Sequence, residues 1–133
     1  MKYQYARYNN SVVRPVIPIK LKSGGNEVSY EVLVDSGADL CIFDEEIGEA
    51  LGIDVRKGKQ QEVFGVGGKA SFYYLHKIKI DVGGWEYDIE AGFMPNVSGR
   101  QVSHGIVGQR GFFENFTVKF NKRKEEIELN RYL

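Results

Sequence analysis

The stretch from Val32 to Asp39 constrains the fold more than any other, because an apolar run ends there in an acid, a hydroxyl, a glycine and a second acid. A buried carboxylate costs free energy unless it is paired or neutralised, so Asp35 is expected at the mouth of a strand. Gly37 permits backbone angles or a close approach that a side chain would block, which predicts a tight turn directly after Asp35. A functional role would explain why an acid occupies this position at the end of an apolar strand.

Alternation of apolar and polar residues predicts strands along most of the chain. Pro15 and Pro18 cannot donate to a ladder and favour an edge position for the first strand. Asp44 is the predicted N-cap of one short helix, which stops at Gly52. The pattern is that of an all-β fold, with predicted strands at 12–21, 27–34, 40–43, 62–66, 72–82, 85–93, 106–108, 116–120 and around 127–129.

The length of 133 residues suits one domain, for which we expect an N-terminal arm of residues 1–11 and a folded body of residues 12–133. Lysine plus arginine and aspartate plus glutamate balance at 18 each, so no nucleic-acid partner is expected. The single Cys41 excludes an internal disulfide and fits a reducing compartment, which predicts a cytoplasmic protein. No apolar run approaches the roughly 18 residues of a membrane span, and we expect neither a secretory signal nor a membrane partner.

Three segments, taken in order, resemble the motifs of the retropepsin-like aspartic proteases, the single-domain relatives of pepsin that include retroviral proteases. Val34–Asp39 resembles the active-site turn of this family, and Phe64–Gly68 resembles the tip of its flap. Ile106–Gly108 resembles the apolar-apolar-glycine segment that packs beneath the active-site loop. The resemblance covers roughly residues 13–130. It implies a single-lobe, closed β-barrel of the pepsin-like type with one short helix, working as a homodimer.

The resemblance also implies an aspartic endopeptidase with Asp35 as its catalytic residue. As is known for aspartic proteases, two carboxylates share one proton, so that one activates a water and the other hydrogen-bonds the scissile carbonyl. This chain has one such motif and is too short for two lobes, so the second aspartate would come from a second chain. No metal or organic cofactor is expected, and the substrate would be a protein or peptide in an extended conformation.

The neighbours of Asp35 acquire roles from the same resemblance. Ser36 and Gly37 would support the active site, with the Ser36 hydroxyl bonding across the dimer and Gly37 allowing a close approach of the substrate backbone. Ala38 and Asp39 would line the cleft. A flexible hairpin would close over the peptide and contribute backbone hydrogen bonds through Gly65, Val66, Gly67 and Gly68.

The segment after Gly108 departs from the retroviral pattern. Retroviral members continue with arginine and then asparagine or aspartate, whereas this chain continues with Gln109 and Arg110. In the family, that arginine usually forms an ion pair with the second acid of the active-site turn. The sequence does not decide whether this chain forms an equivalent pair. Arg110 stands one position late, and its pairing with Asp39 is left undecided by the sequence.

Other interpretations stay open at the level of sequence. The protein could be a catalytically silent relative that binds peptides or dimerises, or an unrelated β-barrel that binds a ligand, with Asp35 as an ordinary turn acid. Cys41 lies in an apolar strand and is expected to be a buried structural thiol. His76 falls on the apolar face of its strand, and His104 has no specific interpretation. With two distant histidines and one cysteine, no metal site is predicted.

Overall fold

Residues 1–64, 70–97 and 104–132 are described by a computed structural model, in which β-strands predominate. One short helix, α1 (Glu45–Ala50), is followed by a single 3-10 turn at Val55–Lys57. The strands are β1 (Lys2–Gln4), β2 (Ala6–Arg7), β3 (Val13–Arg14), β4 (Val16–Ser23), β5 (Asn26–Val34), β6 (Ile42–Asp44), β7 (Lys59–Phe64), β8 (Ala70–Val82), β9 (Trp85–Met94), β10 (Gly105–Val107), β11 (Phe116–Asn121) and β12 (Glu126–Arg131).

Six strands close into a barrel in the order β4-β5-β10-β6-β9-β8, and β7 extends the sheet beyond β8. The ring closes where Lys20–Lys22 of β4 pair with Lys79–Asp81 of β8. Most pairs are antiparallel, but β10 runs parallel to β5, and β6 runs parallel to β9. The predicted all-β, closed-barrel fold with one short helix is therefore confirmed.

The edge position predicted for the first strand is wrong, because β4 has β5 on one side and β8 on the other. The prolines are tolerated for a local reason. Pairing with β8 is confined to residues 20–22, so Pro18 has only β5 beside it and no second ladder to which it would need to donate.

The barrel interior follows the predicted alternation. Tyr30, Val32 and Val34 of β5 are buried on one face, and the inward residues of β4, β8 and β9 pack against them. The alternation fails at Phe72, which has the inward parity but is 43% exposed, because the first part of β8 pairs with β7 outside the ring. The β4–β5 hairpin turns at Gly24 and Gly25, which have φ values of 54° and 85° and lie between Ser23 and Asn26.

The two ends of the chain meet in a second, three-stranded sheet in the order β1-β12-β11. The N-terminal ammonium of Met1 donates to the Leu129 carbonyl at 2.9 Å, and an ion pair joins Arg7 to Glu125 at 2.9 Å. Phe116, Ile127 and Leu129 of this sheet are buried in the same core as the barrel. None of the helices in the described segments is long and apolar enough to cross a membrane.

Helix α1 begins after Asp44 and ends before Gly52, whose φ of 79° suits a glycine stop. Asp44 is the N-cap residue of this helix, as predicted, but its side chain makes no cap hydrogen bond. The carboxylate instead accepts from the Tyr30 hydroxyl at 3.3 Å and from the Val97 backbone N–H at 3.2 Å. Asp44 therefore connects β5, β6 and the turn after β9.

Candidate active site

The turn that carries Asp35 begins where β5 ends against β10. Val34 is buried and lies opposite Val107 in the parallel pair. One residue further, the Asp35 N–H donates to the Val107 carbonyl at 3.0 Å, which continues the ladder to the last residue before the turn. The pairing of β5 with β10 therefore fixes the backbone position of Asp35.

The turn closes on the Asp35 carboxylate itself. The Gly37 N–H donates to Asp35 Oδ1 at 2.9 Å, and the Ala38 N–H donates to the Asp35 carbonyl at 3.2 Å. An acid that accepts from the backbone N–H two residues later is a common turn device, and here it also orients the carboxylate. Asp35 is half-buried, whereas Ser36, Gly37 and Asp39 are exposed in the single chain.

The segment after β10 supports the turn from the other side. A Cβ on Gly108 would lie 2.5 Å from the Ala38 carbonyl oxygen and 2.7 Å from that of Leu40, so a side chain does not fit. Glycine lets the two backbones approach closely enough for the Arg110 N–H to donate to the Asp39 carbonyl at 3.0 Å. The active-site turn and the segment beneath it therefore form one hydrogen-bonded unit, as the resemblance implied.

Gln109 contributes a contact that the sequence did not reveal. Its backbone N–H donates to the Ala38 carbonyl at 2.8 Å, and its side-chain Nε2 donates to the Ser36 carbonyl at 2.7 Å. The only signal in the sequence was the departure itself, an amide residue after Gly108 where retroviral members have arginine. An amide can replace that residue only if it has an acceptor within reach, and the sequence does not show the acceptor.

Asp39 and Arg110 are both described, and no ion pair joins their side chains. The backbone of Arg110 is hydrogen-bonded to the turn, in an isolated parallel bridge with Leu40. Arg110 also lines a small polar cavity of about 200 Å³, together with Glu90 and Glu114. Within one chain, therefore, Asp39 and Arg110 do not form the ion pair that the sequence left undecided.

The predicted flap lies only partly within the described residues. Strands β7 and β8 form an antiparallel hairpin up to the pair Phe64–Ala70, as expected for the two arms of a flap. Val63 and Phe72 on these arms are 36% and 43% exposed. The predicted tip lies outside the described residues, as do all four of its predicted substrate-binding residues, Gly65, Val66, Gly67 and Gly68.

The remaining reactive side chains have structural surroundings. Cys41 is fully buried, its thiol donates to the Arg110 carbonyl at 3.4 Å, and burial raises its pKa to about 11. A protonated, inaccessible thiol is a poor nucleophile, as expected from the sequence. Half-buried His76 lies with Nε2 2.7 Å from the Val55 carbonyl. Among the described residues, no group of three or more histidine, cysteine, aspartate or glutamate side chains is placed to hold a metal ion.

His104 lies directly before β10 and is buried, with 3% exposure. Its Nε2 is 3.0 Å from the guanidinium of Arg14, and its Nδ1 is 3.0 Å from the Gly105 carbonyl. Because a guanidinium only donates, Nε2 must accept, and Nδ1 therefore carries the proton that faces the carbonyl. His104 connects β3 of the N-terminal region to the strand that supports the active-site turn.

Comparison with solved structures shows which class of protein has this fold. A retropepsin-like aspartic protease from Rickettsia conorii superposes with a TM-score of 0.68 at 16% identity, covering 98% of this chain and 91% of that chain. The EIAV protease complexed with the inhibitor HBY-793 gives a TM-score of 0.52 at 20% identity, covering 77% of this chain and 88% of that chain. The fold is therefore that of the retropepsin-like aspartic proteases, as the sequence motifs indicated.

Family comparison then places the chain itself. A comparison with curated proteins gave no significant match. A family model described as aspartyl protease matches residues 18–110, which is more than half of the chain and includes both the Asp35 turn and the Gly108 segment. The chain belongs to this aspartyl protease family, and the alternative of an unrelated ligand-binding barrel is wrong.

Proposed function

We propose that the protein is an endopeptidase that works as a homodimer, with Asp35 of each subunit forming the catalytic pair. The observation that carries the proposal is the Asp35 turn, which is rigidly held at the end of β5 and yet exposed on the surface of a single chain. One chain contains one such turn. A two-fold axis close to Asp35 would bring two identical turns together and cover them.

In this proposal the two Asp35 carboxylates share one proton. The ionised carboxylate removes a proton from a water, which attacks the carbonyl carbon of the scissile peptide, while the protonated carboxyl donates a hydrogen bond to the carbonyl oxygen. The tetrahedral intermediate then collapses as a proton passes to the leaving amine. The apparent pKa values of such a step belong to the pair of carboxyls and not to either one.

The surroundings of Asp35 suit an extended peptide substrate. Gly37 is exposed and has no side chain to keep a substrate backbone away, and Ala38 is small and half-buried beside it. Asp39 is exposed and forms no ion pair with any of the described residues, so its carboxylate can accept from substrate N–H groups. The β7–β8 hairpin would cover the peptide through its tip, Gly65–Gly68, and add backbone hydrogen bonds.

The test is cleavage of an unfolded protein or a peptide library between pH 4 and pH 7, with products identified by mass spectrometry and the oligomeric state measured by sedimentation. We expect a dimer that cleaves, and we expect Asp35→Asn to lose cleavage while it remains a dimer. Asp54→Asn makes the same chemical change at a side chain that is 65% exposed, and it should retain activity.

Three outcomes would overturn the proposal. Cleavage that persists in Asp35→Asn would show that Asp35 is not catalytic. A strict monomer that cleaves at the assay concentration would show that no second Asp35 is needed. A dimer that binds peptides without cleaving any of them would instead identify a catalytically silent relative.

A further inference from the structure

We infer that Gln109 is the positioning residue that orients the Asp35 carboxylate for catalysis, an inference that rests on the function proposed above. Gln109 makes no hydrogen bond to Asp35. It acts through the peptide group between Ser36 and Gly37, which has one end bonded to the Gln109 side chain and the other end bonded to the Asp35 side chain.

The two contacts are linked by the geometry of that peptide group. Gln109 Nε2 donates to the Ser36 carbonyl at 2.7 Å, and the Gly37 N–H donates to Asp35 Oδ1 at 2.9 Å. The Ser36 carbonyl and the Gly37 N–H are the two polar ends of one planar unit and point in opposite directions. A bond that fixes the direction of the carbonyl therefore fixes the direction of the N–H that holds the carboxylate, and each bond polarises the next.

The backbone of Gln109 adds a second point of attachment to the same turn. Its N–H donates to the Ala38 carbonyl at 2.8 Å, so Gln109 contacts the turn on both sides of Gly37. This flanking matters because Gly37 has no side chain to restrict its own rotation. Among the described residues, no hydrogen bond other than this amide contact holds the Ser36 carbonyl.

The chemistry of glutamine suits this position. Its amide donates without bringing a charge close to two carboxyls that must share one proton. A glutamate of the same shape could only accept, and would place a carboxylate against the Ser36 carbonyl. Because a carbonyl oxygen accepts and does not donate, the atom that faces Ser36 must be Nε2 and not Oε1.

The experiment compares four variants of the protein with the wild type. Gln109→Leu keeps the approximate size and removes the donor, Gln109→Glu keeps the shape and reverses the polarity, and Gln109→Arg keeps a donor. Gln4→Leu makes the same chemical change as the first variant at an exposed position in β1. The readouts are kcat and KM on one cleaved peptide over pH 4 to 7, the dimer dissociation constant, and the Gly37 amide resonance during a pH titration.

We expect Gln109→Leu to lower kcat by about 10- to 100-fold, the loss typical of a small misplacement of a catalytic group, with a much smaller change in KM. Gln109→Glu should lower kcat as well and also displace the pH profile, because it adds a charge near the carboxyl pair. Gln109→Arg keeps a donor and adds a charge of the opposite sign, so it should recover most of kcat at its own optimum while displacing the pH profile in the opposite direction. Gln4→Leu should match the wild type. The Gly37 resonance should follow the ionisation of the carboxyl in the wild type and in Gln109→Arg, and much less in Gln109→Leu.

Equal activity of Gln109→Leu and the wild type would overturn the inference. So would equal losses in Gln109→Leu and Gln109→Arg, because a merely space-filling role does not distinguish a donor from an alkyl group. The NMR readout needs no turnover. If the wild type cleaves nothing, the proposed function fails, and the response of Gly37 still decides whether Gln109 orients Asp35.

Discussion

Replacing Gly108 with alanine tests whether the segment after β10 sets the position of the active-site turn. The new Cβ would lie 2.5 Å from the Ala38 carbonyl oxygen, whereas such contacts are essentially never closer than 3.0 Å. The turn must therefore move by at least about half an ångström. The crowding atoms are the carbonyl oxygens of Ala38 and Leu40. Because both belong to the backbone, no side-chain rotation can relieve the contact. Overpacking of this kind costs about 1–3 kcal/mol.

The displaced atoms are those that hold Asp35, the proposed catalytic residue. The Ala38 carbonyl accepts from the Gln109 N–H, and the Ala38 N–H donates to the Asp35 carbonyl. Since a misplacement of about 1 Å can reduce turnover by 10²-fold, we expect Gly108→Ala to lose about 10- to 100-fold in kcat/KM. The loss of stability should lower Tm by about 4 °C for each kcal/mol in a domain of this size.

The assay is peptide cleavage at 25 °C, together with thermal unfolding followed by circular dichroism. Gly24→Ala is the matched control, because Gly24 has φ of 54° in the β4–β5 turn and nothing within 4 Å of an added Cβ. An alanine there costs about 1 kcal/mol through backbone strain and leaves the active-site turn untouched. If Gly108→Ala and Gly24→Ala retain the same activity at matched stability, the reasoning about the support segment is refuted.

Three further predictions concern the surroundings of the site. Burial raises the pKa of Cys41 from 9.0 to about 11, so the folded state retains a thiol proton that the unfolded chain releases. The free energy of unfolding should be unaffected by this group below pH 9 and should fall by up to about 2–3 kcal/mol between pH 9 and 11. In urea titrations, Cys41→Ala should show a shallower fall, and parallel curves would contradict the assignment. Tyr30→Phe and Asp44→Ala should each lower the free energy of unfolding by about 1 kcal/mol. In a double-mutant cycle the two changes should couple by about 0.5 kcal/mol or more, whereas additive losses would mean that their hydrogen bond contributes nothing. Arg110→Gln should change the free energy of unfolding by less than about 0.5 kcal/mol and leave kcat near the wild-type value, because its side chain forms no ion pair in the described structure; a loss as large as that of Gln109→Leu would contradict this.

The elements that the sequence predicted well are those whose signals are local. The β4–β5 hairpin follows from alternation on both strands and from two glycines in the turn, and the observed φ values of Gly24 and Gly25 are those that the turn requires. The end of helix α1 at Gly52 is local in the same way. These features need no knowledge of the rest of the molecule.

The errors arose where a distant partner decides the structure. Asp44 occupies the N-cap position, but the Tyr30 hydroxyl and the Val97 N–H bind its carboxylate, and a cap would have to compete with both. The edge assignment of β4 failed because β8, which lies about sixty residues later in the chain, closes the barrel. The Gln109–Ser36 contact joins residues separated by 73 positions. None of these partners can be identified from spacing alone.

The same reasoning explains why the active-site motif and the apolar-apolar-glycine motif are informative only together. Each is short, and each alone has an ordinary interpretation as a turn or a buried strand. In the structure the parallel register of β5 and β10 places Val34 beside Val107, so the residues that follow each strand must share one space. The carbonyls of Ala38 and Leu40 occupy that space, which requires glycine at position 108. The two motifs are therefore complementary halves of one support, and their pairing holds the half-buried Asp35 in place at the end of β5.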